Sequence, residues 1–254
     1  MPDSAAAAIA VRPRLFALVP CAGSGSRAGT AGPKQYARLR DRTVVAHTLA
    51  ALAQVDRLTA TLVVLAPDDA GDEITTGATV WLARVGGASR AATVANGLLE
   101  LRQRGARPDD WVLVHDAARC LLRAAWVDRL IDACADDPVG GLLALPLADT
   151  LKRADGDDHA TARVAATLPR QRLWAAQTPQ MFRLGLLLRA LAALGQPAKA
   201  EARPDLTDEA SAVEALGLAP KLVPGDAENF KLTWAGDFGL AERLLATREL
   251  EFLA

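Results

Sequence analysis

Arg27 and Lys34 stand close together beside a run of glycines, in Pro20-Cys21-Ala22-Gly23-Ser24-Gly25-Ser26-Arg27 and Gly32-Pro33-Lys34-Gln35-Tyr36. Glycine leaves backbone amides bare, and bare amides at a turn after a strand are a natural seat for phosphate oxygens. Two added cations make that seat suited to a polyphosphate, and a nucleoside triphosphate is the expected ligand. Gly23, Gly25 and Gly29 also invite a dinucleotide reading, but the third glycine falls one place late for G-x-G-x-x-G. The second apolar strand ends at Pro67, where a dinucleotide site would want an acid. An inert tight turn also uses Gly and Ser, but it has no need of both cations.

His115-Asp116-Ala117-Ala118-Arg119 follows a later apolar run. Ligands of open parallel sheets sit beyond the carboxyl ends of the strands. A lone Asp there suits Mg²⁺, which takes one or two carboxylates and completes its shell with water and phosphate oxygens. The other reading of Asp116 is a cap on the next helix. His115 is read as structural, since no Ser or Cys partner accompanies it. Lys231, beside Asn229, either snorkels to solvent or joins the phosphate site. The polar run Gln177-Thr178-Pro179-Gln180 near Arg170 and Trp174 reads as a turn or a site element. Thr207-Asp208-Glu209-Ala210-Ser211 reads as a capped helix start or a site element, with Thr207 or Asp208 as N-cap.

The elements that must position these groups alternate. Strands are expected at Leu15 to Val19, Thr61 to Ala66, Thr79 to Ala83, Trp111 to His115 and Gly141 to Leu145. Helices are expected at Val44 to Leu52, Ala91 to Gln103, Ala124 to Ala135 and Phe182 to Leu194. Strands that are apolar throughout, separated by helices, indicate an α/β fold with a mostly parallel sheet covered on both faces. From Leu147 to Arg172 the rhythm breaks into a polar stretch whose flanks can pair as a projecting arm. Late strands are expected at Lys221 to Val223 and Asn229 to Leu232, and a closing helix at Gly236 to Leu250. Residues 1–14 read as a loose tail and 15–254 as one domain carrying the arm at about 147–172.

Composition narrows the function. The chain has 254 residues and is 51% hydrophobic, enough for a sizeable core. A formal net charge of −1 supplies no global field for nucleic acid or anionic membrane, and 4% aromatics argue against a base-stacking platform. Cys21, Cys120 and Cys134 have no C-x-x-C spacing, so reduced thiols are expected in place of disulfides or structural zinc. No apolar run approaches the roughly 20 residues of a membrane span, and the first residues lack a basic region. A cytoplasmic protein is expected.

Seven segments, taken in order, resemble the 2-C-methyl-D-erythritol 4-phosphate cytidylyltransferases. They are Pro20 to Arg27, Pro33 to Tyr36, Val114 to Arg119, Asp149 to Arg153, Gln177 to Phe182, Thr207 to Ser211 and Asn229 to Thr233. The resemblance implies a Rossmann-like fold and a homodimer in which the arm reaches over the partner's site. It implies transfer of CMP from CTP to methylerythritol phosphate, with Mg²⁺ and release of pyrophosphate. By resemblance, Arg27, Lys34 and Lys231 are catalytic and Asp116 binds the metal. Ala22, Gly23, Gly25, Gly87 and Thr93 match the CTP pocket. Thr150 and Arg170, on the arm, match the grip on the acceptor's phosphate, with Arg119 and Thr178 lining that pocket. Cys120 stands where the family commonly has proline, Ala88-Ser89 where an acidic or polar residue is usual, and no proline precedes the last helix. No second domain is expected after that helix. Competing readings are a cytidylyltransferase for another polyol phosphate such as ribitol 5-phosphate, a non-catalytic nucleotide-binding protein and a nicotinamide dehydrogenase.

Overall fold

The computed structural model describes residues 12–23, 32–156, 161–194 and 208–253. Residues 1–11 of the expected tail, and Gly25, Arg27 and Thr207, lie outside them.

The run Leu15–Pro20 forms β1, the strand on which the site is built. Its side chains alternate between two apolar layers. Ala17 and Val19 enter one core cluster, and Phe16 and Leu18 enter another. A strand buried on both faces has no room for polar alternation, which explains its unbroken apolar sequence. Each large side chain so buried contributes roughly 1.5–3 kcal/mol, so the layers set the fold more strongly than local propensity does.

After a 3₁₀ turn at Lys34–Tyr36, β2 (Arg38–Leu39) and β3 (Arg42–Thr43) pair as a small ribbon. Thr43 caps α1 (Val44–Leu52) by accepting from the Ala46 N–H. Strands β4 (Ala60–Val64) and β5 (Val80–Ala83) follow, then α2 (Arg90–Gln103), capped by the Ser89 hydroxyl. Strand β6 (Trp111–Val114), α3 (Ala124–Cys134) and β7 (Gly140–Pro146) come next. The arm is a hairpin of β8 (Leu151–Ala154) and β9 (Val164–Leu168), paired antiparallel in a sheet of their own. The chain returns in β10 (Trp174–Arg183) and closes with α4 (Leu184–Leu194), α5 (Glu209–Glu214), β11 (Lys221–Pro224) and α6 (Ala235–Leu253).

The main sheet runs β11-β7-β10-β6-β1-β4-β5. Only β10 is antiparallel to its neighbours, so the expected mostly parallel sheet is present. Residues of α1 and α3 belong to one core cluster and those of α2, α4 and α5 to the other, one on each face. A third, smaller cluster seats α6 against Leu39, Val44 and Leu121. From β1 the chain builds outward through β4 and β5, then α2 carries it back to β6 on the other side of β1. The order therefore reverses between β1 and β6. Loops leaving the carboxyl ends of those strands diverge and open a crevice.

Three readings need correction. Asn229 to Leu232 is not a strand. Its groups are bound one by one, with the Asn229 amide on Gln177 Oε1 and Thr178 O and the Leu232 N–H on Ala118 O, so no ladder forms. The helix expected from Phe182 begins at Leu184, because Met181 and Phe182 are buried in the sheet as part of β10. The run Gln177 to Gln180 lies within that same strand and is not a turn.

Candidate active site

A cavity of about 550 Å³ opens at the reversal point. Ala22 and Gly23 after β1, Lys34, Gly87 and Thr93 around the start of α2, Asp116 after β6, and Lys231 all line it. The crossover topology thus gathers seven of the residues singled out from sequence.

Its walls are tied by backbone. The Cys21 N–H donates to Val64 O at 2.8 Å, and the buried Gln35 amide donates to Cys21 O at 2.9 Å. Gly86 donates to Leu65 O at 2.8 Å. A Cβ on Gly86 would lie 2.5 Å from the Ala22 Cβ and 2.6 Å from Leu65 O, so only glycine lets these two loops meet. The Gly87 N–H donates to the Thr93 hydroxyl at 3.1 Å, which sets the loop on the first turn of α2.

Asp116 is the electrostatic centre. Its Oδ2 lies 2.7 Å from Lys231 Nζ, and its Oδ1 accepts from Arg90 Nε at 2.8 Å. Burial alone would raise its pKa. The charges and hydrogen bonds of Arg90 and Lys231 outweigh burial and hold the carboxyl well below the usual carboxylate range. It is an anion at any physiological pH, and it is not a helix cap, since Arg123 is the N-cap residue of α3. Lys34 Nζ donates to Leu232 O at 2.8 Å, which draws it towards the segment that carries Lys231. Cys21 also lines the cavity, but burial and the charge of Asp69 push its thiol up to about 12, so it is no nucleophile.

His115 holds the loop that carries Asp116. Its Nε2 donates to Arg119 O at 3.1 Å, so its Nδ1 accepts from the Thr178 hydroxyl at 3.0 Å. Burial lowers its pKa to about 4, partly opposed by the charge of Asp116, and keeps the ring neutral. Thr178 is 4% exposed, and its oxygen accepts from the Asp116 N–H at 3.1 Å. Arg119 spans to Asn229 O at 2.7 Å and Ala176 O at 3.2 Å. Neither Arg119 nor Thr178 lines the cavity. Thr150 and Arg170 lie exposed at the base of the arm and do not line it either.

Sequence reasoning missed Arg90 and quoted Glu209 only within a segment read as a capped helix start or a site element. Arg90 lines the cavity and forks onto Glu209 at 2.7 and 3.1 Å. One signal was available. Arg90 opens α2 directly after its N-cap Ser89, and a cation in the first turn opposes the helix dipole unless an anion answers it. Gln180, quoted from sequence only within a run read as a turn or a site element, seats α5 by accepting from the Ala210 N–H at 2.7 Å and donating to Asp208 Oδ2 at 2.8 Å.

Among the described residues no group of three or more His, Cys, Asp or Glu could hold a metal ion. Among the described residues that line the cavity there is one carboxylate, Asp116. One hard oxygen donor fits Mg²⁺ that arrives on a triphosphate, and it does not fit a closed zinc site.

The family model described as 2-C-methyl-D-erythritol 4-phosphate cytidylyltransferase (IspD) matches residues 15–247. A protein of that name from Chromobacterium violaceum is 54% identical over 242 residues, covering 92% of this chain and 99% of that one. A bifunctional IspD/IspF enzyme of Albidiferax ferrireducens is 58% identical over 238 residues, and the match spans 93% of this chain and 54% of that protein. A crystal structure of a 4-diphosphocytidyl-2C-methyl-D-erythritol synthase superposes with a TM-score of 0.78 at 40% identity, covering 92% of this chain and 99% of that chain. The cytidylyltransferase of Thermus thermophilus superposes at 0.71 with 32% identity, covering 91% and 98%. With the family model matching residues 15–247 and with sequence and fold in agreement over nearly the whole described chain, this protein belongs to the 2-C-methyl-D-erythritol 4-phosphate cytidylyltransferase family.

Proposed function

We propose that the chain transfers CMP from CTP to 2-C-methyl-D-erythritol 4-phosphate, forming 4-(cytidine 5'-diphospho)-2-C-methyl-D-erythritol and pyrophosphate. The observation that carries this reading is the convergence of Lys34, Lys231 and Asp116 on one cavity whose other wall is glycine backbone. An acceptor phosphate oxygen attacks the α-phosphorus, the bond from that phosphorus to the β-bridging oxygen breaks, and pyrophosphate leaves. The attacking group is already an anion, so no side-chain nucleophile or base is required. The work left to the protein is to align two anions and to neutralise charge on the α-phosphate and the leaving group. Lys34 and Lys231 supply that charge, joined by Arg27. Backbone at Ala22, Gly23, Gly25 and Gly87, with Thr93, holds the nucleoside. Asp116 would hold Mg²⁺, which supplies further positive charge to the phosphates when bound.

The same reading makes the enzyme a homodimer. Thr150 and Arg170 bind the acceptor phosphate of the partner's site, with Arg119 and Thr178 behind the pocket. Val164 and Leu168, 64% and 37% exposed on β9, support this, because they give the arm an apolar contact for a partner. A cytoplasmic location accords with three buried free thiols. No described helix is long and apolar enough to cross a membrane.

Pyrophosphate release measured across CTP, UTP and ATP with several polyol phosphates tests the assignment. Fastest turnover with CTP and methylerythritol phosphate is the outcome that supports it. Ribitol 5-phosphate as the better acceptor, or no release at all, overturns it.

A further inference from the structure

We propose that Arg90 and Glu209 are positioning residues for this transfer: Glu209 locks the Arg90 guanidinium, Arg90 holds Oδ1 of Asp116, and Oδ2 alone changes partner when the triphosphate enters. The inference rests on the cytidylyl-transfer reading and adds to it the pair that keeps the metal-binding carboxylate in place.

Three observations support it. Glu209 is 1% exposed and accepts both bonds of a fork from Arg90, a geometry that fixes the guanidinium plane. The remaining Nε–H points at Asp116 Oδ1 at 2.8 Å, so one guanidinium binds two carboxylates at once. On the other side, Lys231 at Oδ2 has a side chain 37% exposed, so it has room to swing towards a phosphate. Oδ1 is therefore held by a locked group and Oδ2 by a movable one. When Lys231 leaves, Arg90 still neutralises Asp116 and still orients it.

A purely structural role accounts for less. A buried ion pair returns little net stability after its desolvation cost, and an apolar pair of the same size would join α2 to α5 as well. Arg90 also begins α2, where the helix dipole disfavours a cation. The sequence accepts both penalties at the rim of the cavity. It also builds a seat for Glu209. Gln180, 1% exposed in β10, bonds the Ala210 N–H and Asp208, and the Asp208–Ser211 capping box closes the first turn of α5. In the same strand Thr178 bonds the Asp116 N–H. One strand thus indexes both ends of the Asp116–Arg90–Glu209 chain.

The test compares full-length wild type, Glu209→Gln and Arg90→Lys by steady-state kinetics, thermal melting and the NMR signal of the Arg90 Nε–H. Glu209→Gln keeps the shape and removes the charge, and Arg90→Lys keeps a charge and removes the fork. We expect kcat to fall about 10–100-fold in each variant, with KM for CTP and for the acceptor within about 3-fold of wild type. The Nε–H signal should be protected from solvent exchange in wild type and lose that protection in Glu209→Gln. A folded Glu209→Gln protein with lost protection and kcat within about 2-fold of wild type overturns the proposal. So does a rise in KM for CTP with kcat unchanged, which would make Arg90 a direct substrate contact. If Glu209→Gln fails to fold, Arg90→Lys decides on the same kinetic terms. Wild type inactive with CTP and methylerythritol phosphate would sink the underlying function, a result distinct from an active wild type with unaffected variants.

Discussion

Lys231 Nζ sits 2.7 Å from Oδ2 of Asp116, so the cation proposed for catalysis and the carboxylate proposed for metal binding form an ion pair. A polyphosphate with its cation offers each a better partner. On the proposed reading the pair separates when that polyphosphate binds.

Replacing Lys231 or Lys34 by alanine should therefore act on turnover. Each variant should lose at least ~100-fold in kcat, as expected for a lost charge contact to the reacting phosphates. Single-turnover measurements with saturating CTP and acceptor check this. Near-normal kcat in either variant would remove that lysine from the chemistry.

Mixing two inactive proteins tests the shared site. Lys34→Ala damages the cavity, and Arg170→Ala damages the arm. In heterodimers one site carries both lesions and the other carries neither, so mixed samples should regain activity. No recovery in confirmed heterodimers argues that Arg170 serves its own protomer. Arg170→Ala alone should weaken acceptor use while calorimetric CTP binding stays near wild type.

Gly86→Ala should loosen the nucleoside wall. The new methyl would meet Ala22 and the Leu65 carbonyl at 2.5 and 2.6 Å, and backbone on both sides must shift. Overpacking of this kind costs about 1–3 kcal/mol. The KM for CTP should rise, and the melting temperature should fall with it. An unchanged KM would show that the two loops move independently.

The acid limb of stability should report on Asp110. Its carboxylate has no exposed surface and is gripped by Arg14 Nη2 at 2.7 Å and Arg107 Nη2 at 2.9 Å, with the backbone N–H groups of both residues. Burial opposes ionisation, but the hydrogen bonds from Arg107 and Arg14 prevail and hold the pKa well below its ordinary 3.8. A depressed carboxyl pKa stabilises the fold above the unfolded value, and that contribution is lost as pH falls through 3.8 towards the folded value. Asp110→Asn should cost about 2 kcal/mol in urea unfolding at neutral pH. The gap from wild type should hold down to about pH 4 and close at lower pH. A gap that does not change with pH would mean that the carboxylate's charge contributes nothing.

Much of the site was legible in the sequence, for a local reason. Glycines beside cations after an apolar run, and an aspartate just past another, are short-range patterns. An apolar run of five or six residues reports burial on both faces wherever its neighbours lie, so β1, β4 and β6 could be read directly, and their loops with them. The arm was visible as a break in that rhythm. The rest depended on which distant segments meet. Gln177 to Gln180 is polar and looked like a turn, yet it lies inside the sheet because His115, Asp116, Asn229 and α5 supply partners for its side chains. Asn229 to Leu232 looked like a strand and is bound as a loop, because Gln177, Thr178 and Ala118 take its polar groups singly. The buried parallel strands β1, β4 and β6 and the candidate ligands beside them were readable from the chain alone, since both follow from residue type and near-neighbour spacing. That Arg90, Glu209, Asp116 and Lys231 share one network could be seen only in the folded chain, since its ion pairs form where four segments far apart in sequence meet.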